Sequence, residues 1–292
     1  MYPAEFAYVR PTGLDGVFAA IERYADDVKV VAGGQSLLPM MKLRFATPGV
    51  LVDLAGAGEL RGQWSTTDGV RVGAMTTYRE LQRSPRTLDL LPGLEETLAL
   101  IADPQVRARG TIGGAVAHGD PTADLPAMLL ALEAVVLLAS PRGIRRRPLD
   151  EFFTGVYSTD LAEDEVVLAI DIPQPPPGTG AAYQKYEQPA SHLALCGVAA
   201  ALTIGGGRVH RARLAMTGVA ATPRRLTALE EALTGTQVNA KAFDEIAVTA
   251  VHGVEPLDDM HASAAYRLQL LKLATREALQ IAASRAGAGW AA

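Results

Sequence analysis

Val30-Val31-Ala32-Gly33-Gly34-Gln35-Ser36-Leu37-Leu38-Pro39 is the stretch on which the reading of this chain turns. An apolar run stops at two glycines, a serine follows, and a helix-like pattern begins. Paired glycines accept positive φ and let the backbone approach another group with no Cβ between them. Ser36 is placed to cap the next helix, and Pro39 is tolerated in its first turn. A strand, two glycines, a cap and a helix together aim several N–H groups at one point, which suits a phosphate. The same residues also describe an ordinary tight turn, because glycine pairs punctuate loops in general. The surrounding chain has to separate the two readings.

Upstream, Leu14, Val17, Phe18, Ile21 and Tyr24 recur at helical spacing over residues 13–25, and a short strand at 28–32 leads into the glycines. A helix over 37–44 and a strand at Val50-Leu51-Val52-Asp53-Leu54 complete a β-α-β unit, residues 1–56. A second unit, 57–177, begins with the alternating strand Val70-Arg71-Val72-Gly73-Ala74. Thr77 and Glu80 then have the spacing of a capping box. A helix is predicted from Leu94 to Ile101, an irregular stretch over 103–121 with four glycines and two prolines, a helix over 124–132, and strands at 134–139 and 165–172. Long loops without structure of their own are usually functional. Four prolines in residues 173–177 mark a linker. Beyond it, strands at 181–187, 194–204 and 208–219 read as an antiparallel meander. Helices at 223–234, 239–252 and 262–285 follow, the last with Leu268, Leu271, Ala274, Ala278 and Ile281 on one face. Strands then helices indicate a separate α+β unit, residues 178–292.

Composition narrows the function classes. The 292 residues are 49% hydrophobic and 20% charged, the balance of a globular chain with room for about two domains. A net charge of -5 offers no basic surface for nucleic acid. The basic cluster Arg142, Arg145-Arg146-Arg147 reads as a solvated hairpin or contact patch. The single cysteine, Cys196, makes no internal disulfide and by itself holds neither an iron–sulfur cluster nor structural zinc. The N-terminal residues lack a signal-peptide pattern, and no apolar run approaches the ~20 residues of a membrane span. The expected location is cytoplasmic.

No G-x-G-x-x-G, G-x-x-x-x-G-K-[ST] or nucleophile elbow is present. His118, Asp120 and Asp124 are close in sequence, but three such residues on one Gly/Pro-rich loop make a poor metal site. What remains is a second glycine pair, Thr111-Ile112-Gly113-Gly114. Two backbone loops with hydroxyls at Ser36 and Thr111 supply donors from two directions, as a diphosphate requires. That much supports a nucleotide cofactor without naming one.

Ala32-Gly33-Gly34-Gln35-Ser36 together with Thr111-Ile112-Gly113-Gly114 resembles the FAD-binding medium subunits of molybdenum hydroxylases, with the nearest likeness among aerobic carbon monoxide dehydrogenases. The resemblance extends over Ala46-Thr47-Pro48, Gly73 to Thr77, Ile101 to Arg107, Gly119-Asp120-Pro121, Ile170 to Pro173 and Ala182 to Lys185. It implies an α+β chain: a two-subdomain vanillyl-alcohol-oxidase-type FAD-binding domain, then a smaller C-terminal domain of antiparallel strands and helices. It further implies a dimer of heterotrimers. In these a large subunit holds the molybdenum cofactor, a small subunit holds two [2Fe-2S] clusters, and this subunit passes electrons to a quinone or other acceptor, with the complex associated peripherally with the inner face of the cell membrane. By position, Ala32, Gly33, Gly34, Gln35, Ser36 and Leu37 wrap the diphosphate. Thr111, Gly113, Gly114 and Ala115 form the second wall, Ala115 standing where Asn is frequent. Ile101 and Ala102 pack near the flavin, His118 stands where relatives carry Thr or Asn, and Asp124 matches an acidic residue that meets the FAD, with an N-cap role as its alternative. Lys185 matches a lysine near the flavin ring, where a cation stabilises the reduced form; the alternative is a lysine on a strand edge. Leu193 replaces an aromatic residue. No acid–base or nucleophilic catalyst is expected. The implied alternatives are the same subunit in an enzyme oxidising a purine, N-heterocycle or aldehyde, and a nucleotide-binding module without redox activity.

Overall fold

A computed structural model describes residues 2–287; Met1 and residues 288–292, at the ends of the first and last expected units, lie outside them. Near the N-terminus, three parallel strands form a small sheet in the order Ala7–Val9, Val50–Asp53, Val28–Val31. Helix Gly13–Tyr24 covers it through Val17, Ala20 and Ile21. The strand Ala7–Val9 is absent from the sequence reading because three residues are too few to show alternation.

The next sheet has five antiparallel strands in the order Gln63–Ser65, Gly69–Gly73, Val166–Pro173, Val135–Ser140, Gly143–Pro148. Helix Asp124–Ala131 is buried along its whole length and shares one apolar core with this sheet and with Tyr183, Ala199 and Ala215 of the C-terminal unit. A helix apolar all round is one enclosed on every side. At Thr77 the expected capping box is present: its hydroxyl accepts from Glu80 N–H at 3.2 Å, and the Glu80 carboxylate accepts from Thr77 N–H at 2.7 Å. The basic cluster lies on an edge hairpin and is ion-paired: Arg142 with Asp164, Arg145 with Asp160 and Glu165, Arg146 with Asp171, Arg147 with Glu151.

Residues 103–121 are not the irregular loop the sequence suggested. They contain two short helices, Pro104–Arg107 and Ile112–His118, started by the side chains of Asp103 and Thr111. Helices of one or two turns are too short for hydrophobic periodicity to register.

The C-terminal unit is an antiparallel sheet of Thr179–Glu187, Ala194–Gly205, Arg208–Thr217 and Arg224–Arg225. Helix Ala264–Arg285 lies across its first two strands through Leu271, Ala274, Ala278 and Ala282. Gly180 makes that approach possible, since a Cβ there would lie 2.2 Å from the Ala282 carbonyl oxygen. Among the described residues, no helix is long and apolar enough to cross a membrane.

Candidate functional site

The opening glycine stretch leaves strand Val28–Val31 and enters helix Leu37–Lys42. Gly34 takes φ 75°, a conformation that L side chains resist. Ser36 occupies the cap position, but it is not the expected cap: its φ and ψ are -107° and -51°, and its side chain makes no capping bond. The reason is local. A capping hydroxyl needs an N–H at the second or third helical residue. The third is Pro39, which has none, and Leu38 N–H goes to the Gly34 carbonyl at 3.2 Å. The Ser36 hydroxyl is therefore available to a ligand. Among the described residues, the N–H groups of Gly33, Gly34, Gln35, Ser36 and Leu37 also meet no protein acceptor. Five successive unpaired donors on a partly exposed loop fit a diphosphate, which accepts hydrogen bonds on every oxygen.

The second glycine pair works differently from the expected N–H cradle. Gly113 N–H donates to Ala74 O at 2.9 Å, Gly114 N–H to Thr111 Oγ1 at 3.1 Å, Ile112 N–H to Thr76 O at 3.0 Å and Ala115 N–H to Thr111 O at 3.0 Å. These donors are satisfied within the protein, so the glycines act by closeness. A Cβ on Gly113 would lie 2.7 Å from Ala74 Cα, and one on Gly114 would lie 3.7 Å from Ala32 Cβ. On the opposite side, a Cβ on Gly33 would lie 2.0 Å from the Arg109 carbonyl oxygen. The two glycine segments thus abut: the first supplies donors, the second a wall without side chains, with Ala115 half-buried beside it.

Ile101 is buried, and Ala102 is a non-glycine residue at φ 40°. Arg107 holds both, donating to the Ile101 carbonyl at 2.7 Å and the Ala102 carbonyl at 3.0 Å. Sequence reasoning did not single out Arg107; its place at the end of a short helix capped by Asp103 was the available signal.

His118, Asp120 and Asp124 do not converge. The His118 ring packs against Tyr157 in a tilted arrangement, centroids 5.0 Å apart and planes at 42°, and burial lowers its pKa against the opposing pull of Asp120. Asp120 accepts from Thr122 N–H at 2.8 Å and Thr122 Oγ1 at 2.6 Å. Asp124 is the first helical residue, and the cap is Ala123, so the N-cap alternative does not hold. Its carboxylate accepts instead from Tyr183 Oη at 2.7 Å and Lys185 Nζ at 2.9 Å. Burial pushes the Asp124 carboxyl up to about 6, while Lys185 and the Tyr183 hydrogen bond pull it down. Tyr183 and Lys185 share a face of one strand because side chains repeat every second residue. That i, i+2 spacing was the missed signal for Tyr183. The Lys185 side chain is 1% exposed, and its Nζ also donates to the Leu100 carbonyl at 2.8 Å and the His192 carbonyl at 2.6 Å. Lys185 is on an edge strand, as its alternative reading had it, but it is turned inward.

The family described as the FAD binding domain in molybdopterin dehydrogenase matches residues 4–175, and the CO dehydrogenase flavoprotein C-terminal domain matches residues 181–282. The chain belongs to this family of FAD-binding medium chains. A medium chain of carbon monoxide dehydrogenase from Hydrogenophaga pseudoflava is 40% identical over 285 residues, 98% of this chain and 99% of the relative. The structure of carbon monoxide dehydrogenase from the same organism, lacking the Mo-pyranopterin moiety, superposes with a TM-score of 0.95 at 42% identity, covering 98% of this chain and 99% of that one. Quinoline 2-oxidoreductase from Pseudomonas putida 86 superposes with a TM-score of 0.93 at 33% identity, covering 99% of this chain and all of that chain (100%). Both likenesses span the FAD-binding part and the C-terminal part of the medium chain together.

Proposed function

We propose that this chain is the FAD-carrying electron-transfer subunit of a heterotrimeric molybdenum hydroxylase of the carbon monoxide dehydrogenase type. The observation that carries the reading is the unpaired donor run from Gly33 to Leu37, set against Arg109 and Gly114, in a chain that matches carbon monoxide dehydrogenase medium chains from end to end. FAD, when bound, supplies the redox chemistry; the protein contributes binding, orientation and electrostatics. The N–H groups of residues 33–37 and the Ser36 hydroxyl hold the diphosphate, with Gln35 at the exposed rim. Ala32, Thr111, Gly113, Gly114 and Ala115 shape the wall. Leu37, Ile101 and Ala102 would give apolar contact, His118 stands at the end of the wall helix, and Asp124 and Lys185 would lie near the flavin. The functional units are 1–56, 57–177 and 178–292.

One cysteine cannot ligate a [2Fe-2S] cluster, which needs four protein ligands, and this fits the division the family relation implies, with the clusters in a small partner subunit and the molybdenum cofactor in a large one. Two such heterotrimers pair, and electrons leave to a quinone or another acceptor at the inner face of the cell membrane. Substrate choice belongs to the large subunit. The likeness to quinoline 2-oxidoreductase supports the second reading, a complex oxidising an N-heterocycle, purine or aldehyde. The experiment is anaerobic addition of carbon monoxide to the purified complex. Loss of the flavin absorption band supports the first reading. Loss on adding quinoline, xanthine or an aldehyde, with none on carbon monoxide, selects the second.

A further inference from the structure

Lys185 is the one cation in the described structure whose ammonium joins three separate segments at the candidate site. Its partners are the Asp124 carboxylate at the start of the buried helix, the Leu100 carbonyl just before Ile101 and Ala102, and the His192 carbonyl in the connection between strands Thr179–Glu187 and Ala194–Gly205. The first two belong to the part of the chain matched as FAD-binding, the third to the C-terminal domain. An ammonium has three protons, and here each has a protein acceptor. Both pinned segments hold a non-glycine residue at positive φ, Ala102 at 40° and His192 at 57°. Such conformations persist where surrounding bonds over-determine them. Exposed leucines flank the junction on each side, Leu100 and Leu193, at 40% and 43% exposure.

Resting on the FAD reading above, we propose that Lys185 is a positioning residue. It clamps the 188–193 connection onto the 100–102 segment and so sets the wall against which the flavin ring lies. Its charge is cancelled by Asp124 and is not presented to the flavin. The groups facing Asp124 are Lys185, the hydroxyl of Tyr183, and, at longer range, Glu187 and the buried Tyr78. Glu187 lies 3.8 Å from Lys185 Nζ.

The test uses three variants of the full chain, Lys185→Met, Asp124→Asn and the two together, alone and in the assembled complex. Amide exchange at Gln188, Ser191 and His192 is expected to be at least tenfold faster in K185M and in the double variant, and unchanged in D124N, which keeps both carbonyl bonds. FAD dissociation constants should rise at least tenfold in the same two variants. The midpoint potential of bound flavin should match wild type in K185M, where the buried Asp124 carboxyl loses the lysine that lowers its pKa and takes up a proton, and rise in D124N, where Asp124 no longer cancels the lysine charge. The proposal is overturned if K185M retains wild-type exchange and affinity. It is also overturned if K185M lowers the potential while D124N leaves it unchanged, because Lys185 then acts as a bare cation. Rescue of K185M by D124N overturns it too, since the leftover carboxylate would then be the defect. If K185M does not fold, D124N decides: wild-type exchange with a raised potential supports the clamp, and faster exchange or an unchanged potential overturns it. Exchange is read without cofactor, so a wild-type complex that takes up no FAD defeats the functional reading while leaving the clamp separately tested.

Discussion

Gly33→Ala is the smallest change that probes the junction between the two glycine segments. The added Cβ would lie 2.0 Å from the Arg109 carbonyl oxygen, 2.7 Å from its carbon and 3.0 Å from Gly110 Cα. All three atoms are backbone, so no side chain can swing away. Ordinary contact begins near 3.4 Å, and the segments must therefore separate by roughly 1.4 Å at this point. Overpacking of this kind costs about 1–3 kcal/mol. The junction joins two segments near the surface, so the strain is relieved by moving the donor run away from the wall rather than by disrupting the core. At 1.4 kcal/mol per factor of ten, the FAD dissociation constant rises about 5- to 150-fold. The assay is titration of FAD into flavin-stripped complex, followed by quenching of flavin fluorescence, with Gly58→Ala as the control because a Cβ there meets nothing within 4 Å. An affinity within twofold of wild type for Gly33→Ala would refute the two-segment account. Gly114→Ala should act more weakly, since its Cβ would crowd the Thr111 hydroxyl at 2.7 Å, which can rotate at the loss of a cap worth about 1 kcal/mol, and would meet Ala32 Cβ only at an ordinary contact distance of 3.7 Å.

Three further outcomes follow from buried polar groups. Arg267 is 1% exposed and donates to the Leu195 and Gly218 carbonyls and to Asp259, so Arg267→Leu should lower stability to urea by about 2–4 kcal/mol; a loss below 0.5 kcal/mol would contradict its structural weight. The Cys196 thiol is buried and pushed well above its ordinary value by desolvation, so the native chain should react with maleimide at least ~100-fold more slowly than the urea-unfolded chain. Asp124 holds its proton to about pH 6 when folded against an ordinary value of 3.8, so the unfolded chain binds fewer protons between those values and the Asp124 contribution to stability falls as pH rises through that window. The stability difference between wild type and Asp124→Asn should therefore decline between pH 4 and 6.5, by at most about 3 kcal/mol, and a flat difference would contradict the raised value.

What was legible in the sequence was local. The alternation before Gly73, the Thr77-x-x-Glu80 box and the apolar runs that stop at glycines each report on a few neighbouring residues, and the structure has strands, a capped helix and turns there. The residues of the candidate site were named from two glycine motifs and, for Ile101, Ala102, His118, Asp124 and Lys185, from the family resemblance, yet how they work depends on partners distant in the chain. Gly113 N–H is satisfied by Ala74, and Gly33 is small because Arg109 passes against it. Ser36 failed as a cap because of Pro39, a reason present in the sequence but visible only once the helix start was fixed. The inward turn of Lys185 follows from acceptors supplied by Leu100, Asp124 and His192, a convergence that no spacing along the chain encodes.

The central claim is that this chain holds FAD, and the most direct measurement is the FAD content of the purified complex with its large and small subunits present. The account predicts one FAD released per copy of this chain on denaturation, identified by its spectrum and mass. A complete complex that carries no flavin, and takes up none when FAD is added, would contradict it.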